Sequence, residues 1–322
     1  FTTRRVPLPT RSRLVRIFYE QMFLPGAVRT QGADVLHAPG YIAPLAGRVP
    51  VVLTVYDVIA LKFPSWCKPS NVAHYRLMMP SSCRRASIVI VPSETTRKDL
   101  CRLQPAAASK IRVIPLGVGD EFAPRTDPGE LAHVREHYGL PERFVLCVGR
   151  HEPKKNLPRI LDALADVLRS DGPVTTLAIA GPRGWRHPPV EQLVAARGLG
   201  ECVRRLGFVP TAHLPALYSL ADGLVFPSLY EGFGLPPLEA MACGCPVLAS
   251  NRGALFETVE GAALTVDPED TGALAQGLRR FLADEPLRER LRADGFARAA
   301  RFSWQKTAER TDAAYREAAG KA

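Results

Sequence analysis

The stretch GLVFPSLYEGFGLPPLEAMACG, residues Gly223–Gly244, carries more structural information than any other part of the chain. An apolar run typical of a strand, Gly223–Ser228, leads into a loop with two glycines, and an apolar helical pattern follows. A glycine loop between a strand and a helix N-terminus suits phosphate binding, because loop N–H groups and the helix dipole both face the anion. Pro237 is expected at the first helical position, where its missing N–H costs nothing.

Two glutamates, Glu231 and Glu239, lie eight residues apart across this loop. A carboxylate does not bind phosphate, but it accepts hydrogen bonds from the hydroxyl groups of a sugar. Phosphate-binding amides between two such acceptors therefore predict a nucleotide-sugar site.

Apolar runs that favour strands alternate with helical patterns along most of the chain, which is typical of parallel sheets covered by helices on both faces. The predicted strands are Val35–Pro39, Val49–Tyr56, Ser87–Val91, Ile111–Leu116, Phe144–Val148, Thr175–Ala180, Val203–Phe208, Gly223–Pro227, Pro246–Ala249 and Ala263–Val266. The predicted helices include Asn71–Arg85, Glu94–Leu103, Leu157–Arg169, Val190–Arg197, Ala212–Leu220, Pro237–Cys243, Thr271–Leu282 and Trp304–Ala319.

The segment Gly117–Pro124 follows a predicted strand and is rich in Gly and Pro, which indicates a crossing between domains. We therefore expect an α/β chain with two doubly wound domains, at residues 1–119 and 120–300, and a C-terminal helix within residues 301–322. Four strands fall in the first domain and six in the second, so the first is expected to be incomplete. Ligands of open α/β sheets bind beyond the carboxyl ends of the strands.

A second motif, Val148–Leu157, also joins a predicted strand to a predicted helix. Its Arg150 and Lys155 are expected at the same edge of the sheet as the glutamate loop. Arginine holds two phosphate oxygens at once and lysine acts as a point charge, so the pair could bind a diphosphate and stabilise it as it leaves. A solvated basic turn is the alternative.

Two further places follow strands and could contact a ligand. Gly181 and the segment Arg205–Pro210 could let a nucleobase approach the backbone, although ordinary turns explain them equally well. The pair Tyr56 and Asp57 ends a first-domain strand, where ligands bind, with a helix cap as the alternative.

The net charge of +10 comes entirely from the first part of the chain. Residues 1–122 hold 17 Lys and Arg against 7 Asp and Glu, whereas residues 123–322 hold 25 of each. Near the start, arginines stand beside apolar side chains, namely Arg4, Arg5, Arg11, Arg13 and Arg16 with Ile17, Phe18, Tyr19, Met22 and Phe23. This mixture predicts peripheral contact with an anionic membrane, with solvated surface charge as the alternative. No nucleic-acid-binding module is recognised, so no nucleic acid partner is expected.

Missing motifs narrow the function further. The sequence has no D-x-D, so it offers no obvious carboxylate pair for a metal-bound diphosphate. It also has no P-loop motif, which argues against a P-loop nucleotide site, and no G-x-S-x-G, which argues against the nucleophile elbow of a hydrolase. Its seven cysteines form no C-x-x-C, which indicates a reducing cytosol rather than disulfides or a zinc ribbon. We expect no metal, no cofactor and a cytoplasmic protein that is peripheral to the inner face of the membrane.

Taken together, these motifs resemble the retaining glycosyltransferases of family 4, which have two Rossmann-like domains in the GT-B arrangement. Glu231–Gly244 matches that family's E-x7-E signature almost letter for letter, and Gly149–Asn156 matches its G-R-x-x-x-x-K-N element. The resemblance extends from about Asp34 to the end of the chain. Within the family, the chain is most similar to bacterial mannosyltransferase-like members. The resemblance implies metal-independent, retaining transfer of a hexose such as mannose from a GDP- or UDP-sugar to a glycan or lipid-linked acceptor.

The resemblance also implies roles for individual residues. Arg150 and Lys155 would bind the donor diphosphate, and Glu231 would contact the hydroxyls of the transferred sugar. The amides of Phe233, Gly234 and Leu235 would contact sugar and phosphate, Glu239 would accept the ribose hydroxyls, and Leu206, Gly207 and Val209 would frame the base.

The sequence departs from the family pattern in two places. Tyr56 stands where the family usually has a histidine near the donor sugar, so it is a candidate for the catalytic site. Phe1–Leu24 resembles a later segment of the family's first domain, and the family's first strand and glycine-rich loop have no counterpart in this sequence. The chain therefore resembles an N-terminally truncated transferase. The alternatives are a donor-binding but inactive fragment and a sugar-nucleotide epimerase on the same fold.

Overall fold

The computed structural model describes residues 12–170, 172–173, 175–185 and 188–320. Arg4, Arg5 and Arg11, which belong to the predicted membrane-binding cluster, lie outside these residues.

Among the described residues, ten strands form two entirely parallel sheets. The first sheet has the order β1-β2-β3-β4 and the second has the order β10-β9-β8-β5-β6-β7. The strands are β1 Leu36–Ala38, β2 Val51–Thr54, β3 Ile88–Val91, β4 Ile111–Val113, β5 Phe144–Val148, β6 Thr176–Ala180, β7 Val203–Gly207, β8 Gly223–Phe226, β9 Val247–Ser250 and β10 Leu264–Val266. All ten predicted strands are confirmed, with ends that differ by a few residues.

Helices lie between the strands, and each of the predicted ones is present. The helices are α1 Arg13–Met22, α2 Leu24–Thr30, α3 Ile59–Lys62, α4 Pro69–Arg85, α5 Glu94–Leu103, α6 Pro128–His137, α7 Leu157–Arg169, α8 Val190–Ala195, α9 Leu214–Leu220, α10 Leu235–Ala242, α11 Gly253–Val259, α12 Thr271–Ala283, α13 Glu285–Ala299 and α14 Trp304–Ala318. The expectation that Pro237 begins a helix is wrong, because α10 begins at Leu235 and Pro237 is its third residue. Its missing N–H is still harmless there, since the first four helical N–H groups have no partner within the helix.

The second sheet is covered on both faces. Along β5, Phe144 and Leu146 pack into one apolar cluster, whereas Val145 and Cys147 pack into another. Successive side chains of a strand point to opposite faces, so this alternation requires two separate helical layers. The fold is therefore an α/β fold with two Rossmann-like units, as the sequence predicts.

The last helix, α14, returns to the first sheet. Its Ala314 is buried against Val52 and Ile88, and the hydroxyl of Tyr315 is hydrogen-bonded to Nδ1 of His37 at 2.7 Å. Arg112 and Glu317 form an ion pair across the same contact. The C-terminal helix thus follows the second unit in sequence but packs on the first.

The order of the second sheet reverses between β5 and β8. These adjacent strands continue to β6 on one side and to β9 on the other. A crevice opens beyond the carboxyl ends of parallel strands at such a switch point, and ligands bind there. The loops after β5 and β8 are those that carry the two motifs singled out from the sequence.

Candidate active site

The loop after β8 places Glu231 between the two sheets. Gly234 has a φ of +142°, a conformation that side chains with a Cβ rarely adopt, and α10 begins at the next residue. Phe233 is buried and packs edge-on against Phe302, with ring centroids 5.7 Å apart. Its carbonyl accepts a hydrogen bond of 3.1 Å from the Thr258 hydroxyl. Phe233 and Gly234 therefore form a fixed turn immediately before Leu235, the first residue of α10.

Glu231 is held by two ammonium groups. Lys155 Nζ lies 2.6 Å from Oε1 and Lys154 Nζ lies 3.0 Å from Oε2, while the glutamate side chain is 11% exposed. Burial alone would raise the pKa of Glu231, but the two lysines outweigh it and lower this pKa to about 2. Burial likewise opposes the charge of Lys154, yet Glu231 and Asp57 raise its pKa. Glu231 is therefore a firmly ionised carboxylate.

Lys154 is a site residue that sequence reasoning missed. The sequence motif selects only Lys155, and the adjacent Lys154 would ordinarily point elsewhere. A 3₁₀ turn at Pro153–Lys155, followed by Asn156 with a φ of +62°, brings both ammonium groups to Glu231. Asn156 is buried and its Nδ2 donates to the carbonyls of Pro227 and Pro268, which fixes this turn.

Arg150 lies on the same edge of the sheet, beyond β5, where the sequence predicts it. Its exposed side chain lines a cleft of about 600 Å³ between the two sheets. Side chains from both units line this cleft, including Tyr41, Asp57, Trp66, Lys68, Tyr75, Glu152, Lys154, Arg183 and Trp185. Aromatic rings and charges of both signs are thus available to a polar ligand.

Tyr56 and Asp57 lie beside the glutamate loop. Asp57 lines the cleft and accepts a hydrogen bond of 3.1 Å from the Tyr41 hydroxyl. The Tyr56 ring packs edge-on against Tyr41, with centroids 5.9 Å apart, and its carbonyl presses against Gly232. The contribution of Tyr56 seen here is thus packing at the junction of the two units.

The predicted base-binding residues divide into two groups. Leu206 and Gly207 line a pocket of about 510 Å³ together with Gly181 and Pro182, and the Gly181 N–H donates to the Gly207 carbonyl at 2.6 Å. Val209, by contrast, is buried in the core of the second unit. The Val209 side chain is therefore not available to a ligand.

Glu239 is the fifth residue of α10 and lies largely buried. Its Oε2 accepts a hydrogen bond of 3.1 Å from the Tyr218 hydroxyl. Burial raises the pKa of Glu239, and the nearby charge of Glu121 adds to the effect. The two glutamates of the motif thus differ, because two lysines lower the pKa of Glu231 whereas burial raises the pKa of Glu239.

Within the described part of the chain, no group of three or more His, Cys, Asp and Glu side chains is arranged to hold a metal ion. No helix among the described residues is long and apolar enough to span a membrane.

Known proteins resemble the chain in both halves. The family profile described as glycosyl transferases group 1 matches residues 134–298, and that of glycosyltransferase family 4 matches residues 1–122. A relative in Escherichia coli, O-antigen chain mannosyltransferase B, is 34% identical over 90% of this chain and 76% of its own length.

Solved structures show the same fold. Sucrose-phosphate synthase from Thermosynechococcus elongatus has a TM-score of 0.74 and 27% identity, covering 91% of this chain and 76% of the other. Anabaena HepE, solved with UDP and glucose, has a TM-score of 0.76 and 23% identity over 94% of this chain and 82% of its own. The similarity to HepE therefore shows a shared fold and nothing more.

Proposed function

Because the chain belongs to the glycosyl transferases group 1 and is a glycosyltransferase, we propose that it transfers a hexose, mannose in the first instance, from a GDP- or UDP-sugar to a glycan or lipid-linked acceptor. The transfer retains the anomeric configuration and uses no metal. Support for mannose comes from the relative named as an O-antigen chain mannosyltransferase.

One observation carries this proposal. Glu231 and Lys155 are 76 residues apart in the chain, yet they pair at 2.6 Å at the switch point of the second sheet. Sugar-binding and phosphate-binding groups therefore meet where open α/β sheets bind ligands. Arg150 lines the adjoining cleft, and Glu239 lies four residues into the helix that begins beside Glu231.

The residues suggest how the reaction proceeds. The bond between the anomeric carbon and the donor phosphate oxygen breaks, and the bond to the acceptor oxygen forms on the same face. Glu231 is a poor base, because two ammonium groups hold its pKa near 2. The acceptor's proton therefore passes to the departing phosphate, whose charge Arg150 and Lys155 stabilise. Glu231 accepts hydrogen bonds from the sugar hydroxyls.

A panel of nucleotide sugars tests the donor. We expect GDP-mannose or UDP-glucose to raise the melting temperature, because a ligand that binds only the folded state stabilises it. Calorimetry should show that Lys155→Ala and Glu239→Ala weaken donor binding, whereas Lys306→Ala, a change of an exposed lysine on α14, should not. Unchanged donor affinity in both site variants would refute the assigned roles. Turnover in the presence of EDTA tests whether the reaction needs a metal, and the anomeric configuration of the product tests whether it is retained.

We also propose that α1 lies against an anionic membrane surface. Phe18, Met22 and Phe23 are 58%, 65% and 55% exposed, which is unusual for neighbouring apolar side chains, and residues 1–122 carry the whole net positive charge. Vesicles that contain anionic lipid should sediment the protein at low salt and release it at high salt. Phe18→Ser should weaken binding, whereas Leu77→Ser, at an exposed position on α4, should not. Absence of sedimentation at low salt would exclude this contact.

A further inference from the structure

Tyr230 immediately precedes Glu231 on a loop of the second unit, yet its side chain is buried in the core of the first unit. It is 7% exposed and belongs to the apolar cluster that contains Leu53 and Val89. Its ring centroid lies 5.1 Å from that of Phe63. The loop that carries the sugar-binding carboxylate is therefore anchored in the opposite unit.

The hydroxyl of Tyr230 has a specific partner there. It donates a hydrogen bond of 3.1 Å to Oδ2 of Asp99, which is buried on α5. Lys62 Nζ contacts both oxygens of the same carboxylate, at 2.9 and 2.8 Å, and lies 5.0 Å from the centre of the Tyr230 ring. A hydrogen bond to an ionised acceptor is about twice as strong as a neutral one, so this contact fixes the ring's position.

Gly232, on the other side of Glu231, is also held by the first unit. Its carbonyl accepts hydrogen bonds from the hydroxyls of Ser93, at 2.8 Å, and Thr96, at 3.2 Å. A Cβ at this position would overlap the carbonyl oxygen of Tyr56. Both neighbours of Glu231 are thus fixed by the first few turns of α5 and by the strand end beside it.

A third contact joins the same helix to the second unit. Glu257 on α11 accepts hydrogen bonds from the backbone N–H groups of Glu94 and Thr95, at 2.9 and 2.7 Å. A carboxylate at a helix N-terminus satisfies N–H groups that have no partner within the helix and complements its dipole. Helix α5 and its N-cap Ser93 therefore contact the second unit at Tyr230, Gly232 and Glu257.

We propose that α5 positions Glu231 for sugar transfer, with Asp99 and Ser93 of the first unit as positioning residues that act through Tyr230 and Gly232. This inference rests on the proposed function. Groups that bind the diphosphate and the ribose, Arg150, Lys155 and Glu239, lie on other segments of the second unit. Because Lys155 also pairs with Glu231, loosening the contact affects the sugar more strongly than the nucleotide.

Tyr230→Phe removes only the hydroxyl, and Tyr138→Phe is the matched control, because the Tyr138 hydroxyl bonds His213 at 2.9 Å outside the cleft. We expect kcat to fall about tenfold in Tyr230→Phe, the loss typical of one hydrogen bond to a charged group. The preference for GDP-mannose over GDP, or for UDP-glucose over UDP, should shrink, while affinity for the nucleoside diphosphate should change less than affinity for the nucleotide sugar. Asp99→Asn should behave in the same way.

Equal loss of affinity for nucleotide and nucleotide sugar would overturn the proposal, because it would indicate a merely structural role. Hydrogen exchange of the donor-free protein gives a second test that needs no substrate. Tyr230→Phe should increase exchange in the segment 229–234 without changing that of β5, and unchanged exchange in this segment would also overturn the proposal. If the wild-type protein binds no nucleotide sugar but this exchange still responds, the proposed function fails and the anchoring of the loop stands.

Discussion

Glu231→Gln should destabilise the protein as well as impair sugar transfer. The carboxylate is almost buried and paired with two ammonium groups, so its removal leaves two positive charges that lack their partner. Its pKa is held at about 2, against an ordinary value of 4.5. Because a tenfold change in proton affinity is worth 1.36 kcal/mol, the ionised side chain contributes about 3 kcal/mol to the free energy of unfolding at neutral pH.

The pH dependence gives this prediction a sign. The pKa of Glu231 is lower in the folded state, so its contribution is complete above about pH 4.5 and is lost as the pH falls towards 2. Urea unfolding, followed by the fluorescence of Trp66 and Trp185 beside the cleft, measures the difference between wild type and variant. The difference should be about 3 kcal/mol near pH 7 and should shrink in acid.

Glu289→Gln is the matched control, because Glu289 pairs with Arg292 at an exposed position on α13. Exposed ion pairs contribute little, so its effect should be much smaller. Equal stability of wild type and Glu231→Gln at neutral pH, or a difference that does not change with pH, would refute the reasoning about the two lysines.

Three further outcomes are expected. Burial raises the pKa of Glu239, so donor affinity measured by calorimetry should weaken as the pH falls below neutral and the carboxylate takes up a proton, and Glu239→Gln should lose this dependence. Burial lowers the pKa of His37, which bonds Tyr315; the unfolded state therefore takes up the proton first, and unfolding midpoints should fall as the pH drops below about 6.5, less so in His37→Gln. Gly232→Ala should abolish transfer because its Cβ overlaps the Tyr56 carbonyl, whereas Gly200→Ala, with open space around it, should keep full activity.

Much of the fold follows from local pattern. Every predicted strand is present because short apolar runs between turn residues have few other ways to bury their side chains. The sequence does not predict the helices α1, α2, α3, α6, α11 and α13, whose boundaries and packing depend on contacts outside their own sequence. Helix α10 begins at Leu235 rather than at Pro237, because the chain turns at Gly234, whose positive φ suits a glycine.

The candidate site also contains some residues that the sequence predicts and others that it does not. The sequence predicts that Glu231, Arg150, Lys155 and Gly207 lie at one edge of the second sheet, because loops after parallel strands meet there, and their roles stay predictions. Lys154 is not predicted in this way, since the 3₁₀ turn that brings two consecutive lysines to one carboxylate depends on the hydrogen bonds of Asn156 to residues distant in the chain. The buried side chain of Val209 likewise reflects packing rather than sequence spacing.

The sequence by itself determined the strands, many of the helices, the two units and the order of the two loop motifs, because these depend on residue types close together in the chain. Tertiary structure alone decided what surrounds Glu231. Tyr230 is buried in the first unit and its hydroxyl bonds Asp99, 131 residues away, while Gly232 bonds Ser93 across a separation of 139. No local pattern encodes such pairs, because they form only when two separately built sheets pack together. The position of the Glu231 carboxylate is therefore a property of their interface.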